Sequence, residues 1–459
     1  MEKFDVIVIG GGIGGLMCAY RIAENNPSLK VLILEKGRKL EDRQCPIVAG
    51  KVDHCIKCVP CAIMEGMAGA GAFSDGKYNI TTEYGGWLPD LMDHRKVLDY
   101  IEQADQVLQK FGADNERYMP DDELKTLCLQ HDLHMQQAQV KHLGTDANYG
   151  TMLNLIQDLE NHVTIRTLAD VKEVDKETHI VTYVQNGTDL QVQGEKIVFA
   201  VGRIGNRMFE EWCRKNKISM LNNQVDIGVR VELPYEIWEK FSSRIYEPKI
   251  YYKAGHYGDT TRMFCFNERG WVVTENSDGV LTVNGHSYKD KARQSNNSNF
   301  ALLCSTHFTE PFDQPVEYAR EVAALANKIS GGYVLVQRLG DLESGRRTTS
   351  TRLRQSSVHP TLNAVPGDLS LCMPKRQLDN IVETLHALDQ VAPGTANFDT
   401  LLYGVECKYY SARPACHDFE LENAPGVYAI GDGAGFTRSL AQAAANGLIV
   451  GDLLTGRKI

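Results

Sequence analysis

The sequence predicts an α/β protein: a doubly wound domain on a parallel sheet, interrupted by a second, β-rich (α+β) domain. Three observations carry this. The chain opens as strand, glycine turn, helix and strand within its first 35 residues. It closes on a strand, a Gly-Asp-Gly and a helix of small residues. Between these ends, residues 220–306 read mostly as strands and turns, dense in Gly, Asn and aromatics.

The bulk properties agree. The 459 residues suffice for two or three domains, and 43% hydrophobic with 24% charged residues is a globular composition that excludes wholesale disorder. The net charge of −10 argues against a nucleic-acid binder, which gains affinity by neutralising phosphates. The one apolar stretch with any claim to be a membrane anchor, Phe4–Ala23, carries Asp5, Arg21 and a run of glycines, so no membrane span is expected. It also lacks the basic start and cleavage site of a signal peptide. The expectation is a cytoplasmic protein whose 12 Cys stay reduced and serve thiol chemistry, metal binding or burial.

Phe4–Ile9 is a near-continuous apolar run, suited to a parallel strand buried on both faces. A helix is predicted from Ile13 to Asn25, with Leu16, Ala19, Tyr20 and Ala23 on one face, and a second strand over Lys30–Glu35. Residues 38–86 lack periodicity and read as ordered loop. Helices follow at His94–Gly112, Asp121–Asp132 and Gly150–His162. Strands are predicted at Val163–Thr167, Val171–Val174, Thr178–Gln185, Asp189–Gln193 and Lys196–Ala200, with Asn186-Gly187 as a hairpin turn. After the β-rich stretch come a helix at Val316–Ser330, an irregular Arg-rich segment at Arg338–Arg354, a helix near Arg376–Leu388 and the closing strand Gly426–Ile430. The expected division is a first domain over 1–219, with a helical insertion at about 87–162, a β-rich substrate domain over 220–344, and a return to the first domain over 345–459.

The segment Gly10-Gly11-Gly12-Ile13-Gly14-Gly15 contains G-x-G-x-x-G between a strand and a helix. Gly10 makes the tight turn, Gly12 lets a pyrophosphate approach the positive helix N-terminus, and Gly15 allows close helix–strand packing. Glu35, 20 residues beyond Gly15, ends the second strand where a ribose would be held, with Lys36 beside it. That acidic residue disfavours a 2′-phosphate. The segment Val427–Gly433 resembles the second signature of FAD-binding proteins of this fold, which implies that Gly431 and Asp432 meet the ribityl chain. The helix around Arg438–Gly447 would then point its N-terminus at the flavin, with Ala441 small enough for close approach. Ile197–Arg203, ending in Gly202, resembles a third signature of the same superfamily. FAD is therefore the expected cofactor.

The segment Gly69-Ala70-Gly71-Ala72-Phe73-Ser74-Asp75-Gly76-Lys77 resembles the G-A-G-x-F-S-D-G-K motif of a bacterial group of uncharacterised FAD-dependent dehydrogenases. Gly228–Glu232, Phe264-Cys265 with Gly270–Val273, Val283–Ser287, Asn299–Leu302 and Gly404–Glu406 with Ser411–Pro414 also match. Cys407–Tyr410 departs from it, where many relatives are richer in Arg, Thr and Ser. The resemblance implies a flavoprotein oxidoreductase in which the loop through Gly71 and Ser74 runs beside the cofactor. Lys77 could stabilise anionic reduced flavin or an anionic substrate.

Cys45, Cys55, Cys58 and Cys61 form C-x9-C-x2-C-x2-C. Such spacing suits a 4Fe-4S cluster, a structural Zn or a redox-active dithiol. Arg346, Arg347, Arg352 and Arg354, with His359 beyond, could form an anion-binding wall, and Arg413 with His417 a proton donor and its neighbour. The candidates for catalysis are Lys77, Arg347 and Arg413.

These readings converge on an FAD oxidoreductase that exchanges a hydride between flavin N5 and a small-molecule substrate held between two domains, with reduction of an activated C=C or its reverse as the reaction type. The alternatives are an electron carrier working with an electron-donor protein, and a flavin monooxygenase. No second G-x-G-x-x-G follows a strand in the sequence. NADH and NADPH are therefore expected to reduce the flavin slowly or not at all. Anaerobic stopped-flow reduction at ordinary turnover rates, about 1–10³ s⁻¹, would contradict this.

Overall fold

The computed structural model describes the whole chain except residues 47–48, 52–57, 75, 278, 289–290, 309–311, 313 and 458–459. The chain forms two compact units. One comprises Met1–Tyr118, Ala138–Asn222 and Ser411–Ile459, the other Met119–Gln137 and Asn223–Tyr410.

The first unit is built on five parallel strands in the order Val427–Ala429, Thr188–Phe199, Glu2–Ile9, Val31–Leu34 and Thr164–Arg166. Val6–Ile9 lies fully inside, paired with Val31–Leu34 on one side and Lys196–Phe199 on the other. That position requires the unbroken apolar run. Ala169–Val174 and Ile180–Gln185 form an antiparallel meander that feeds Thr188–Phe199. This last strand is continuous where the sequence suggests two. Gly194 stays in register opposite Phe4, where a Cβ would stand 3.1 Å from Ile7 Cδ1 and from Ile197 Cδ1.

The helix Ile13–Asn25 packs on the helix Leu440–Leu454. Their close approach needs glycine, since a Cβ at Gly447 would stand 2.2 Å from Gly14 O. Buried Asp452, on the second helix, accepts from Tyr100 Oη (2.9 Å) and Asn25 Nδ2 (2.7 Å), and Arg21 lies 3.7 Å away. The predicted helices are found at His94–Lys110 and Thr145–Leu159, the latter beginning five residues before the expected Gly150. Among the described residues of the loop region 38–86 one strand forms, Lys77–Ile80, paired antiparallel with Gln139–His142.

The second unit is an eight-stranded sheet in the order 365–366, 335–338, 401–408, 225–234, 297–306, 260–267, 250–253 and 133–135. All its neighbouring pairs are antiparallel except 335–338 with 365–366. The chain returns to the first unit at Ser411, not at the expected residue 345. The reason is packing. Leu401–Lys408 is a central strand of this sheet, and the helix Lys375–Asp389 places Leu378, Ile381, Leu385 and Leu388 in its core. The helix Asp122–Leu129, capped by the Asp121 carboxylate on Leu124 N, belongs here as well and not to a helical insertion.

A buried ion pair crosses two of these strands. Arg230 Nε and Nη2 donate to Glu406 Oε2 and Oε1 at 2.8 and 2.9 Å, and both side chains are 0% exposed. Cys265 O, Asn284 Oδ1 and Asn299 Oδ1 accept the remaining guanidinium protons. Lys408 Nζ also lies 3.2 Å from Glu406 Oε1, so removing Glu406 leaves the dry guanidinium without its carboxylate, which costs about 3–5 kcal/mol, whereas removing Arg230 leaves Glu406 a cation. Thermal unfolding should therefore show Glu406→Leu strongly destabilised, Arg230→Met less so, and the double variant less destabilised than the sum of the two. Additive losses in the double variant would contradict this.

Candidate functional site

In the first unit a cleft of about 430 Å³ opens where the central strands end. Three pieces distant in sequence line it. The glycine turn contributes Gly10, Gly12, Ile13 and Gly14, the segment after Phe199 contributes Ala200–Gly205, and the C-terminal turn contributes Ile430–Asp432 and Arg438–Leu440. A fourth wall comes from the loop region: Met64–Gly66, Ala68–Gly71, Ser74, Lys77 and Asn79.

The turn has the form that its glycines demand. Gly10 has φ +112°, and a Cβ there would stand 2.3 Å from Ala200 O. A Cβ at Gly15 would stand 2.1 Å from Gly10 O, so Gly15 serves helix–strand packing and does not line the cleft. At Gly12 a Cβ would meet only Gly69 Cα, at 4.0 Å, and would project into the cleft. Gly431, with φ +79°, donates its N–H to Asn446 Oδ1 at 2.8 Å. These vacant Cβ positions beside a helix N-terminus fit a pyrophosphate-bearing dinucleotide.

Glu35 lines the cleft but is heavily engaged. Its Oε2 accepts from Gly11 N at 2.7 Å, and its Oε1 from Gly37 N at 2.7 Å and Gly66 N at 3.0 Å. With about four lone-pair sites on a carboxylate, one remains for a ligand hydroxyl. Beside it, desolvation pulls the Lys36 ammonium down, but the Glu65 carboxylate at 2.8 Å more than offsets this and holds it above its usual value. Burial pushes the Asp432 carboxyl above the ordinary carboxylate range. Arg203 at 3.8 Å and the Thr437 hydroxyl at 2.6 Å pull the other way.

The other expected site residues divide. Gly71, Ser74, Lys77, Gly202 and Asp432 line the cleft, whereas Ala441 does not and Ala443 does. Arg413 lies outside the lining, with Nη1 3.0 Å from Asp90 Oδ2 and its guanidinium over Trp87. Arg347 is exposed and lies in the second unit. Of the other members of the expected anion-binding wall, Arg346 bonds buried Asp341 at 2.9 Å, Arg352 lies 4.0 Å from the same carboxylate, and Arg354 contacts the Thr351 hydroxyl. His417 is exposed beside Asp418.

The cysteine expectation is not met by the described residues. Among them, no three His, Cys, Asp or Glu side chains are grouped to hold a metal ion, so Cys45, Cys58 and Cys61 form no such centre. Cys55 lies outside the described residues, as does Asp75 of the loop motif. What organises this loop is Arg43, whose guanidinium donates to the carbonyls of Ala62, Ile63, Met67 and Gly69. Sequence reasoning missed Arg43, because its partners are main-chain atoms and leave no side-chain pattern. Asn79, Glu65 and Val171 were missed for want of any motif.

Because Glu35 serves three amides, Glu35→Gln turns an N–H₂ toward at least one of them. Hydrogen bonds to a charged acceptor are worth about 1.5–3 kcal/mol each. The variant is expected to lose both thermal stability and dinucleotide affinity, the latter by about 10–10²-fold. Calorimetric titration alongside a melting curve checks this. Unchanged affinity would contradict it.

Comparison with known proteins agrees with the geometry. Residues 5–42 match the model described as "FAD binding domain", and residues 224–409 match "FAD-dependent protein, C-terminal domain-like". The second match nearly coincides with the main segment of the second unit. A Clostridium beijerinckii protein called "Uncharacterized protein" is 27% identical, covering 98% of this chain and 80% of its own. The glycerol 3-phosphate oxidase of Mycoplasma genitalium is 24% identical over 50% of this chain and 64% of its own. Among solved structures, Geobacillus kaustophilus glycine oxidase aligns over 100% of this chain and 96% of its own, at 11% identity and a TM-score of 0.41. A 3-ketosteroid-Δ4-(5α)-dehydrogenase from Rhodococcus jostii aligns over 99% and 97%, at 13% identity and 0.45. Among the described residues no helix is long and apolar enough to cross a membrane. The chain carries an FAD-binding domain and a β-rich domain, and is an FAD-dependent oxidoreductase.

Proposed function

We propose that the protein exchanges a hydride with a small organic substrate at the flavin, reducing an activated C=C or running the reverse. Bound FAD supplies the hydride chemistry. In this reading Gly10–Gly14 take the pyrophosphate, and Glu35 and Lys36 the adenosine ribose. Gly202, Gly431 and Asp432 follow the ribityl chain, and Gly71 and Ser74 lie along the cofactor. The resemblance to FAD-dependent dehydrogenases with the G-A-G-x-F-S-D-G-K motif supports the same assignment.

One observation carries the reading beyond FAD binding. Lys77 lines the same cleft as the glycine turn and Asp432, on a strand fixed by pairing with Gln139–His142. A cation held on a paired strand is preorganised to stabilise negative charge that develops on the cofactor or substrate. The helix Leu440–Leu454 acts in the same sense. Its N-terminus is capped by Ser439 Oγ, which accepts from Gln442 N, and Ser439 and Leu440 line the cleft.

The test is anaerobic. Dithionite-reduced protein is mixed with enones, enoates and unsaturated dicarboxylates, and return of the oxidised flavin spectrum is followed. At least one class should reoxidise it at about 1–10³ s⁻¹, and its saturated analogue should not. Lys77→Met should slow that step about 10²-fold while FAD content stays at the parent level. If no alkene reoxidises the flavin, the C=C reading fails. If Lys77→Met keeps the parent rate, the role given to Lys77 fails.

A further inference from the structure

Arg43 is 4% exposed, and four of its N–H bonds end on main-chain carbonyls. Nε donates to Ala62 O at 3.0 Å and Nη2 to Ile63 O at 2.7 Å. Nη1 donates to Met67 O at 2.6 Å and to Gly69 O at 2.8 Å. The guanidinium also lies over the Phe73 ring, 4.7 Å from its centroid. One side chain therefore spans the loop from Ala62 to Phe73. From the other side, Asn148 Nδ2 donates to Gly71 O at 2.9 Å. The loop is closed tightly around Arg43, for a Cβ at Gly66 would stand 2.6 Å from Arg43 Cδ.

Two consequences meet at Gly69. Its backbone lies against the dinucleotide turn, where a Cβ on Gly69 would stand 3.1 Å from Gly12 Cα. Its carbonyl is held by Arg43. Moreover, among the described residues none of the groups bonded to Arg43 is a carboxylate: its hydrogen-bond partners are carbonyls, and the Phe73 ring lies beneath it. Burial accordingly pulls the guanidinium down to about 10, with the Glu35 charge opposing. A buried cation without a bonded anion favours a ligand that brings negative charge nearby.

We infer that Arg43 is a positioning residue for FAD. It holds the loop 62–73 so that Gly69 meets Gly12, and behind the contact that a pyrophosphate must share it sets a positive charge that no carboxylate among the described residues bonds directly. This rests on the FAD reading of the cleft. Arg43 touches no part of the cofactor in this assignment and acts through Gly69.

The experiment compares the parent, Arg43→Lys and Arg43→Gln as full-length apoproteins. FAD and ADP are titrated at low and high salt, and melting curves are recorded without ligand. Arg43→Gln should bind FAD about 10²-fold more weakly, lose ADP binding in parallel, and show a shallower salt dependence. Arg43→Lys keeps the charge with fewer donors. It should melt much like the glutamine variant, yet recover part of the affinity and the parent salt dependence. The inference is overturned if both variants bind FAD within about threefold of the parent. It is equally overturned if the two lose affinity alike with unchanged salt dependence, which is what loop packing alone would give. Should the glutamine variant fail to fold, the lysine variant decides by affinity alone: a loss beyond about threefold supports the inference, and binding within about threefold of the parent overturns it. A parent apoprotein that binds no FAD would instead remove the cofactor reading beneath the inference.

Discussion

Two buried charges of opposite sign, Glu35 and Arg43, hold the cleft together through the main chain. Glu35 gathers three amides, from the glycine turn, the end of the second strand and Gly66. Arg43 gathers four carbonyls, on both sides of Gly66. An irregular loop cannot satisfy its own polar groups as a helix or sheet does, and an unpaired buried amide or carbonyl costs about 1–3 kcal/mol. These two side chains supply the missing partners. The loop can therefore be both irregular and fixed, as a wall facing an extended cofactor must be.

The second unit solves a related problem differently. Arg230 and Glu406 neutralise each other inside the sheet, and neighbouring Asn side chains and a carbonyl take the remaining donors. Arg230 bonds a carboxylate of its own sheet, whereas among the described residues Arg43 bonds none. That contrast separates a structural cation from one whose charge is still available to a ligand.

The parts of this account that were legible in the sequence are those with local causes. The G-x-G-x-x-G turn, the acid at Glu35 and the Gly-Asp-Gly near the C-terminus each state their geometry within a few residues, and all converge on one cleft. Long-range pairing was less legible. Nothing near residue 345 shows that Leu401–Lys408 completes the second sheet, because its partners are some 65 and 175 residues away in sequence. The cysteine spacing suggested a metal centre, yet the loop is knit by a guanidinium bonded to carbonyls, an arrangement that leaves no mark on side-chain composition. Arg347 was chosen for charge within an Arg-rich run, and Arg413 for its place where the chain returns to the first domain. Charge says nothing about whether a carboxylate such as Asp90 already stands beside the residue.

The central claim is that one loop, held from behind by Glu35 and Arg43, forms the wall against which FAD lies. A crystal structure of the protein grown with FAD tests it most directly. The account predicts the pyrophosphate over Gly10–Gly14, Gly69 still against Gly12, and the Arg43 guanidinium still on the carbonyls of Ala62, Ile63, Met67 and Gly69. FAD bound away from the glycine turn, or bound there with residues 62–69 released from Arg43, would contradict it.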